Sequence, residues 1–263
     1  MFFGIPSSII NSKGREIKGL IGFIGSIKKI NEQFNPYSIL VIFDSETSKS
    51  NNKLIDDNYK EGRIDYTDVE ENKNPFSQLP IIKKALDYLN IYNEEVNQNE
   101  ADDYIASIIN KYKNKYEFLI LSTDTDFIQL IDDNTKILIQ KSKNNIIYDK
   151  KMIIEKYNIT PKQYIEFKSL VGDKCDNILG IKGIGPKTAS NILKYKTISD
   201  FINNSNEEKL KNILIDNMAI INKNIKLITL NKHLNTKNIL FNKISDKLTS
   251  KKINEIISDI GEK

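Results

Sequence analysis

Acidic side chains in this sequence fall into four short clusters: Asp44; Glu100, Asp102 and Asp103; Asp124 and Asp126; Asp173 and Asp176. Each cluster follows an apolar run that reads as a buried strand, or sits where helical periodicity begins. Carboxylates gathered at strand ends are the ligands that hard divalent cations take. The last pair runs into Gly180-Ile-Lys-Gly-Ile-Gly-Pro-Lys187, a glycine hairpin that opens a helix. Such a hairpin presents backbone N–H groups to a phosphate. Acids and hairpin together point to metal-dependent chemistry on a nucleic-acid backbone. A pair of divalent ions about 4 Å apart clamps the attacking and leaving oxygens in phosphodiester hydrolysis. Mg²⁺ keeps several waters and takes few carboxylates, so a two-ion site must draw Asp and Glu from several elements.

Each cluster alone also has a plain structural account. Glu100, Asp102 and Asp103 lie in the first turn of a helix, where the macrodipole favours acids in any case. Asp124 and Asp126 suit a turn or cap after a strand, and a lone Asp44 suits a solvated strand end. Asp173 and Asp176 suit caps. The coincidence of all four carries the reading. In the hairpin, Gly183 and Gly185 permit positive φ and close backbone approach. Pro186 stands at a first helical position. Lys182 and Lys187, with Thr188 beside them, supply contacts to phosphate that carry no base readout. The alternative is an ordinary glycine turn. Tyr59, Lys60 and Arg63 combine cations and a ring, as single-strand binding requires, with phosphates on the cations and a base on the ring. A solvated loop accounts for their spacing equally well.

The elements that must position these groups follow from periodicity. Glu16 to Ile30 carries Leu20, Phe23, Ile24 and Ile27 at helical spacing. Ser38-Ile-Leu-Val-Ile-Phe43 reads as a strand buried on both faces, with Asp44 at its carboxyl end. The polar stretch 45–74 is far longer than an ordinary loop and is therefore functional or disordered. Ser77 to Leu89 reads as a helix. Asn99 is the expected N-cap of a helix facing inward with Ala101, Ile105, Ile108, Ile109 and Tyr112. Phe118-Leu-Ile-Leu121 and Lys136-Ile-Leu-Ile139 are further strands. Strands separated by helices predict an α/β fold, a mostly parallel central sheet flanked by helices, with ligands beyond the strands' carboxyl ends. From about Lys151 strands are no longer expected. Thr160, Pro161 and Gln163 mark a helix start, and Tyr164, Phe167 and Val171 form its apolar face. Residues 1–150 are thus expected to form the α/β domain, including the connection 45–74. Residues 151–263 are expected to form a helical region with a helix–hairpin–helix at 173–195.

Composition limits the alternatives. The chain has 263 residues, 39% of them apolar, and a formal net charge of +4. That charge is too mild to indicate a nucleic-acid ligand by itself. No segment has the apolar length of a membrane span, and Met1-Phe-Phe-Gly-Ile-Pro6 lacks the features of a signal peptide. Cys175 is the only cysteine, which rules out an internal disulfide and points to a reducing compartment. His233 is the only histidine and has no partner in the sequence pattern. Composition therefore argues against a zinc site and a Ser-His-Asp triad.

Residues from Phe2 to about Asn203 resemble the 5′-nuclease (flap endonuclease) family, in the form of the bacterial 5′→3′ exonuclease also found at the N-terminus of DNA polymerase I. The motifs that carry the resemblance are Ile42-Phe-Asp44, Tyr59-Lys-Glu-Gly-Arg63, Glu100-Ala-Asp-Asp103, Ser122-Thr-Asp-Thr-Asp126 and the run Val171 to Ala189. The resemblance implies a PIN-like 5′-nuclease fold with a helix–hairpin–helix element of the H3TH kind. It implies a two-metal nuclease using Mg²⁺ or Mn²⁺. Asp44, Glu100, Asp102 and Asp103 match the first metal group, and Asp124, Asp126, Asp173 and Asp176 the second. The stretch 45–74 matches the family's helical arch, with Lys60 and Arg63 near the scissile phosphate. Gly180 to Lys187 is similar to the duplex-binding element, which implies a K⁺ ion on its carbonyls. The implied substrate is DNA at 5′ ends, flaps and nicked or branched duplexes, and RNA primers in RNA–DNA hybrids. The implied protein is a cytoplasmic, nucleoid-associated monomer acting in replication and repair.

The family's central first strand ends in an Asp-Gly-Asn-like sequence whose Asp binds the first metal. Phe2-Phe-Gly-Ile-Pro6 matches the segment just after it. Two expectations follow: a start upstream of Met1, or a chain without that ligand and that strand. The second would be a catalytically impaired binder of DNA structures. An early-arch Arg of the family is replaced by Asn52, with Lys53 beside it. A ribonuclease with a similar acidic site is a further rival, against which arch and hairpin argue. Nothing after Asn203 resembles a polymerase domain, so a standalone nuclease with a short helical tail is expected.

Overall fold

The computed structural model describes residues 9–10, 14, 16–45, 55–56, 59, 74–97, 99–141, 145–244 and 255–256. The chain divides into two compact units. Met1–Ser48, Ile64–Ala101 and Lys237–Lys263 make the first; Lys49–Arg63 and Asp102–Thr236 make the second.

In the first unit, α1 (Lys18–Phe34) places Leu20, Ile24 and Ile27 on one buried stripe. That stripe joins a core with Ile82, Ala85 and Leu86 of α2 (Leu79–Tyr88). Gln78 caps the start of α1 from a distance, its Oε1 accepting from the Gly19 and Leu20 N–H groups. At the other end, Asn35 adopts a left-handed conformation (φ 43°) that stops the helix. Strand β1 (Leu40–Asp44) pairs in parallel with β2 (Tyr92–Val96), from Leu40 opposite Tyr92 to Asp44 opposite Val96. β2 is not anticipated by apolar pattern, because it reads Tyr-Asn-Glu-Glu-Val. Its acids are matched one by one: Glu95 pairs with Lys83, and Glu94 with Lys237 and the Tyr92 hydroxyl.

In the second unit, α3 (Ala101–Tyr112) leads to β3 (Phe118–Leu121), a 3-10 segment at Thr125–Leu130, β4 (Thr135–Ile139) and β5 (Ile146–Tyr148). β3 pairs in parallel with β4, and β4 antiparallel with β5. Helices follow: α4 (Lys150–Tyr157), α5 (Tyr164–Val171), α6 (Pro186–Ile192), α7 (Ile198–Asn204), α8 (Glu208–Asp216) and α9 (Met218–Ile228). The expected helix start at Thr160 is present as a full capping box with Gln163, on a short 3-10 turn that runs into α5. Phe127, Ile128, Ile137, Ile153, Leu170 and Phe201 are among the core side chains that join the sheet to these helices. Complete burial of each such side chain contributes about 1.5–3 kcal/mol.

Parallel pairing is present as expected, and among the described residues it occurs in two small sheets, β1–β2 and β3–β4–β5. Strands also do not end at Lys151. A two-residue antiparallel pair, β6 (Gly172–Asp173) and β7 (Ile178–Leu179), sits between α5 and α6. It is too short to leave a periodic signal. The segment after α9 runs against α3: Ser107 Oγ and Asn110 Nδ2 donate to the Asn231 and Lys232 carbonyls, and Asp103 Oδ1 accepts from the Asn231 N–H.

Candidate metal and nucleic-acid site

Within the second unit the structure brings together the acids of the last two clusters. Asp124 leaves β3 and caps the 3-10 segment, its Oδ1 accepting from the Asp126 N–H at 2.8 Å. This turn directs Asp126 inward, where it is 7% exposed. Asp173 comes from β6 and accepts from the Cys175 N–H at 2.7 Å. Asp176, buried in the same turn, feels the charge of Asp126. At their centre stands a residue that the acid pattern did not flag. Lys168 of α5, 5% exposed, contacts Asp126 Oδ1 and lies 2.5 Å from Asp173 Oδ2. A signal for it existed. Lys168 shares the apolar face of α5 with Tyr164 and Val171, and a buried lysine needs an acid.

The electrostatics show how tightly the group is balanced. Burial pushes the Asp126 carboxyl up to about 6; the Lys168 ammonium opposes this, while Asp124 and Asp176 reinforce it. Burial also works against the Lys168 ammonium, but Asp126 and Asp173 outweigh it and hold that amine above its ordinary value. Burial opposes ionisation of Asp173, yet Lys168 and the backbone N–H groups of Cys175 and Asp176 keep its carboxyl below the usual range. Burial and the neighbouring Asp124 and Asp176 charges all disfavour an ionised Asp126, and Lys168 is the cation that answers them.

The first metal group is distributed differently. Asp44 is exposed at the end of β1, and its Oδ1 accepts from the Ala101 N–H at 2.8 Å. A carboxylate from β1 thus accepts from the first N–H of α3. Glu100 lies in the first unit with Asp44, whereas Asp102 and Asp103 lie in the second. Asp103 holds the chain after α9, as noted above. Among the described residues, no three Asp, Glu, His or Cys side chains form a group able to hold a metal ion. The donor chemistry of the Asp124, Asp126, Asp173 and Asp176 set nevertheless fits a hard divalent cation: every donor is a carboxylate oxygen, and a positive group already bridges two of them.

The hairpin is built from a buried base and an exposed tip. Ile181, Ile184 and Ala189 are buried, whereas Lys182, Gly183, Gly185 and Lys187 are exposed and Thr188 is half-buried. Ile184 N donates to Ile181 O at 3.0 Å, closing a turn in which Gly183 has φ +88°. A glycine third in a four-residue turn with positive φ is the type II arrangement. At the base, β6 and β7 approach so closely that a Cβ on Gly172 would meet the Gly180 nitrogen at 2.4 Å. Asn224 of α9 locks this base, its Nδ2 donating to Ser169 O at 2.9 Å and Leu179 O at 2.8 Å. Asn224 and the similarly buried Gln129, which fixes the end of α9 through Ile228 O and Leu230 N, were not singled out from the sequence. A lone polar residue inside a helix pattern gives no sign of its partner.

Tyr59 corrects an expectation. The ring proposed to stack on a base is 3% exposed and packs against Ile178, Leu227 and Ile228. A ring this deeply covered has no free face for a nucleobase. Lys60 and Arg63 lie outside the described residues, as does most of the stretch 45–74.

With this geometry in view, comparison with known proteins is specific. The family model described as 5′-3′ exonuclease, N-terminal resolvase-like domain, matches residues 1–158. That described as 5′-3′ exonuclease, C-terminal SAM fold, matches residues 159–256. The chain is similar to the 5′-3′ exonuclease of Aquifex aeolicus, 33% identical over 205 residues that cover 77% of this chain and 68% of the relative. It is also similar to the thermostable DNA polymerase I of Thermus thermophilus, 30% identical over 214 residues covering 81% of this chain and 24% of that polymerase. Among solved structures, the bacteriophage T5 flap endonuclease in a pseudo-enzyme–product complex with DNA and metal ions has a TM-score of 0.66 at 20% identity. That match covers 92% of this chain and 90% of the phage protein, and is a likeness of fold. Two consecutive family models span nearly the whole sequence, and the Aquifex relative is matched over more than two thirds of its length: the chain belongs to the 5′-3′ exonuclease family.

Proposed function

We propose that this chain hydrolyses DNA phosphodiesters at 5′ ends and at 5′ flaps, as a 5′→3′ exonuclease and structure-specific flap endonuclease. The observation that carries the reading is Asp126 and Asp173 meeting on Lys168, with Asp124 and Asp176 near enough for their charges to act on Asp126, next in the chain to a hairpin that exposes Lys182 and Lys187. Asp124, Asp126, Asp173 and Asp176 would hold one divalent ion, Mg²⁺ or Mn²⁺, and Asp44, Glu100, Asp102 and Asp103 a second. Such ions supply an activated water and positive charge for the developing phosphorane. The protein's own part is to fix the acids on β3, β6 and the turns beside them, so that little reorganisation remains when substrate binds. Exposed Lys182 and Lys187, with Gly183, Gly185 and Thr188, would grip the duplex backbone, so selection follows DNA shape. Lys60 and Arg63 would add charge at the scissile phosphate. A K⁺ ion on hairpin carbonyls, action on RNA primers in hybrids, and a monomeric state belong to the same proposal.

The test is a 5′-flap duplex offered with Mg²⁺ or Mn²⁺. Metal-dependent cleavage that EDTA stops, and that Asp126→Ala abolishes with modest loss of binding, is the expected result. Full turnover by Asp126→Ala overturns the metal assignment. A second reading, a DNA-structure binder without turnover, is favoured by Lys168 standing between Asp126 and Asp173. It predicts salt-sensitive flap binding and no cleavage under any metal.

A further inference from the structure

In the long polar connection between β1 and α2, the described residues Asp56 and Tyr59 are both fastened to α9. Tyr59 packs with Leu227 and Ile228 of α9 and Ile178 of β7, and Ile165 of α5 borders the cluster. The Asp56 carboxylate pairs with Lys223 of α9 at 2.8 Å. The Tyr59 N–H donates to Asp56 O at 3.0 Å, which closes the turn that carries both side chains. Lys223 and Leu227 are four residues apart, on one face of the helix. The helix that receives this turn also holds the hairpin base through Asn224. One element of the tail region therefore ties together the connection, β7 and the strand pair that bears Asp173.

We propose that Tyr59 is a positioning residue, an apolar anchor that pins the connection to α9 beside the hairpin base. The proposal rests on the nuclease reading and deepens it. Lys60, which the proposed function places at the scissile phosphate, is the next residue in the sequence. Side chains that meet a scissile phosphate need such fixing, since an error of about 1 Å costs about a hundred-fold in rate. A ring that acts by filling a pocket is replaceable by an aliphatic of similar bulk; a ring that stacks on a base is not.

The experiment compares wild type, Tyr59→Leu and Tyr59→Ala on a 5′-flap duplex with Mg²⁺. It also measures binding to plain duplex, melting temperature and hydrogen exchange of the Tyr59-position amide. Tyr59→Leu should keep kcat within about three-fold of wild type, whereas Tyr59→Ala should lose about a hundred-fold in kcat with duplex binding unchanged. Exchange should stay slow in Tyr59→Leu and become fast in Tyr59→Ala. Tyr59→Leu falling as far as Tyr59→Ala, or Tyr59→Ala keeping wild-type turnover, overturns the anchor. If Tyr59→Ala does not fold, a hundred-fold loss in a folded Tyr59→Leu overturns it. Absence of wild-type cleavage sinks the nuclease reading instead. The anchor is then judged by exchange alone, where protection that survives Tyr59→Ala overturns it.

Discussion

Lys168 Nζ lies 2.5 Å from Asp173 Oδ2, and the same ammonium touches Asp126, with the lysine only 5% exposed. One cation thus neutralises two carboxylates that come from different elements. Its removal leaves buried Asp126 and half-buried Asp173 without their cation. Lys168→Met should destabilise the protein in EDTA by about 3–5 kcal/mol. Mg²⁺ should then stabilise the variant more than it stabilises wild type, because the ion replaces the missing charge. Thermal unfolding across a Mg²⁺ titration measures both effects. Equal Mg²⁺ shifts in the two proteins would separate Lys168 from the cation position.

Asp126 sets a pH dependence. Its folded value of about 6 exceeds the ordinary 3.8. Between these values the folded chain binds more protons than the unfolded one, so this contribution to stability grows as pH falls through the window. Glu166, raised by burial, acts in the same direction. Asp173, held low, loses its stabilising contribution only at pH below the window. In EDTA, the Asp126 contribution should be more favourable at pH 5 than at pH 7 by about 1 kcal/mol. Denaturant melts of wild type and Asp126→Asn at the two pH values isolate it; an identical pH response in both refutes the assignment.

Asn224 donates to the buried Ser169 O and to the partly buried Leu179 O. Asn224→Ala should cost about 1–3 kcal/mol, since the buried Ser169 acceptor is left unmatched while Leu179 O can turn to water. Weaker duplex binding should accompany the loss, as the hairpin base loosens. Urea melts and fluorescence anisotropy provide the two readouts.

At the hairpin tip, Lys182 and Lys187 are exposed. Lys187→Ala should leave the melting temperature unchanged and weaken binding to every duplex sequence alike. The slope of log affinity against log salt should fall by about 1. A sequence-selective loss would mean that the residue reads bases.

Gly172 (φ +85°) sits against the Gly180 nitrogen, and a Cβ there would clash at 2.4 Å. Gly172→Ala should therefore destabilise by about 3 kcal/mol or more. Gly185→Ala, where a Cβ meets nothing within 4 Å, should change stability by less than about 0.5 kcal/mol. Equilibrium unfolding of the two variants checks the contrast.

Much of this molecule is written in local pattern. The apolar runs within 40–43, 118–121 and 137–139 are strands because branched and large apolar side chains suit a pleated surface. The expected burial of the first run on both faces is not met, since β1 is only half-buried. Thr160-Pro-Lys-Gln163 starts a helical turn because its side chains satisfy the first backbone donors. Gly180 to Lys187 forms a hairpin because Gly183 tolerates a positive φ. What local pattern cannot carry is a partner far along the chain. β2 is a strand of polar residues whose acids find Lys83 and Lys237. Tyr59 looks like a ring beside basic residues, and only the packing of Leu227 and Ile228 against it reveals a buried anchor. The sequence by itself determined the family, the acids and the hairpin, since these rest on residue type and short spacing. Tertiary structure alone decided that Lys168 bridges Asp126 and Asp173 and that α9 clasps both Tyr59 and the hairpin base. Those contacts span dozens of residues, and their strength comes from burial, which no linear spacing records.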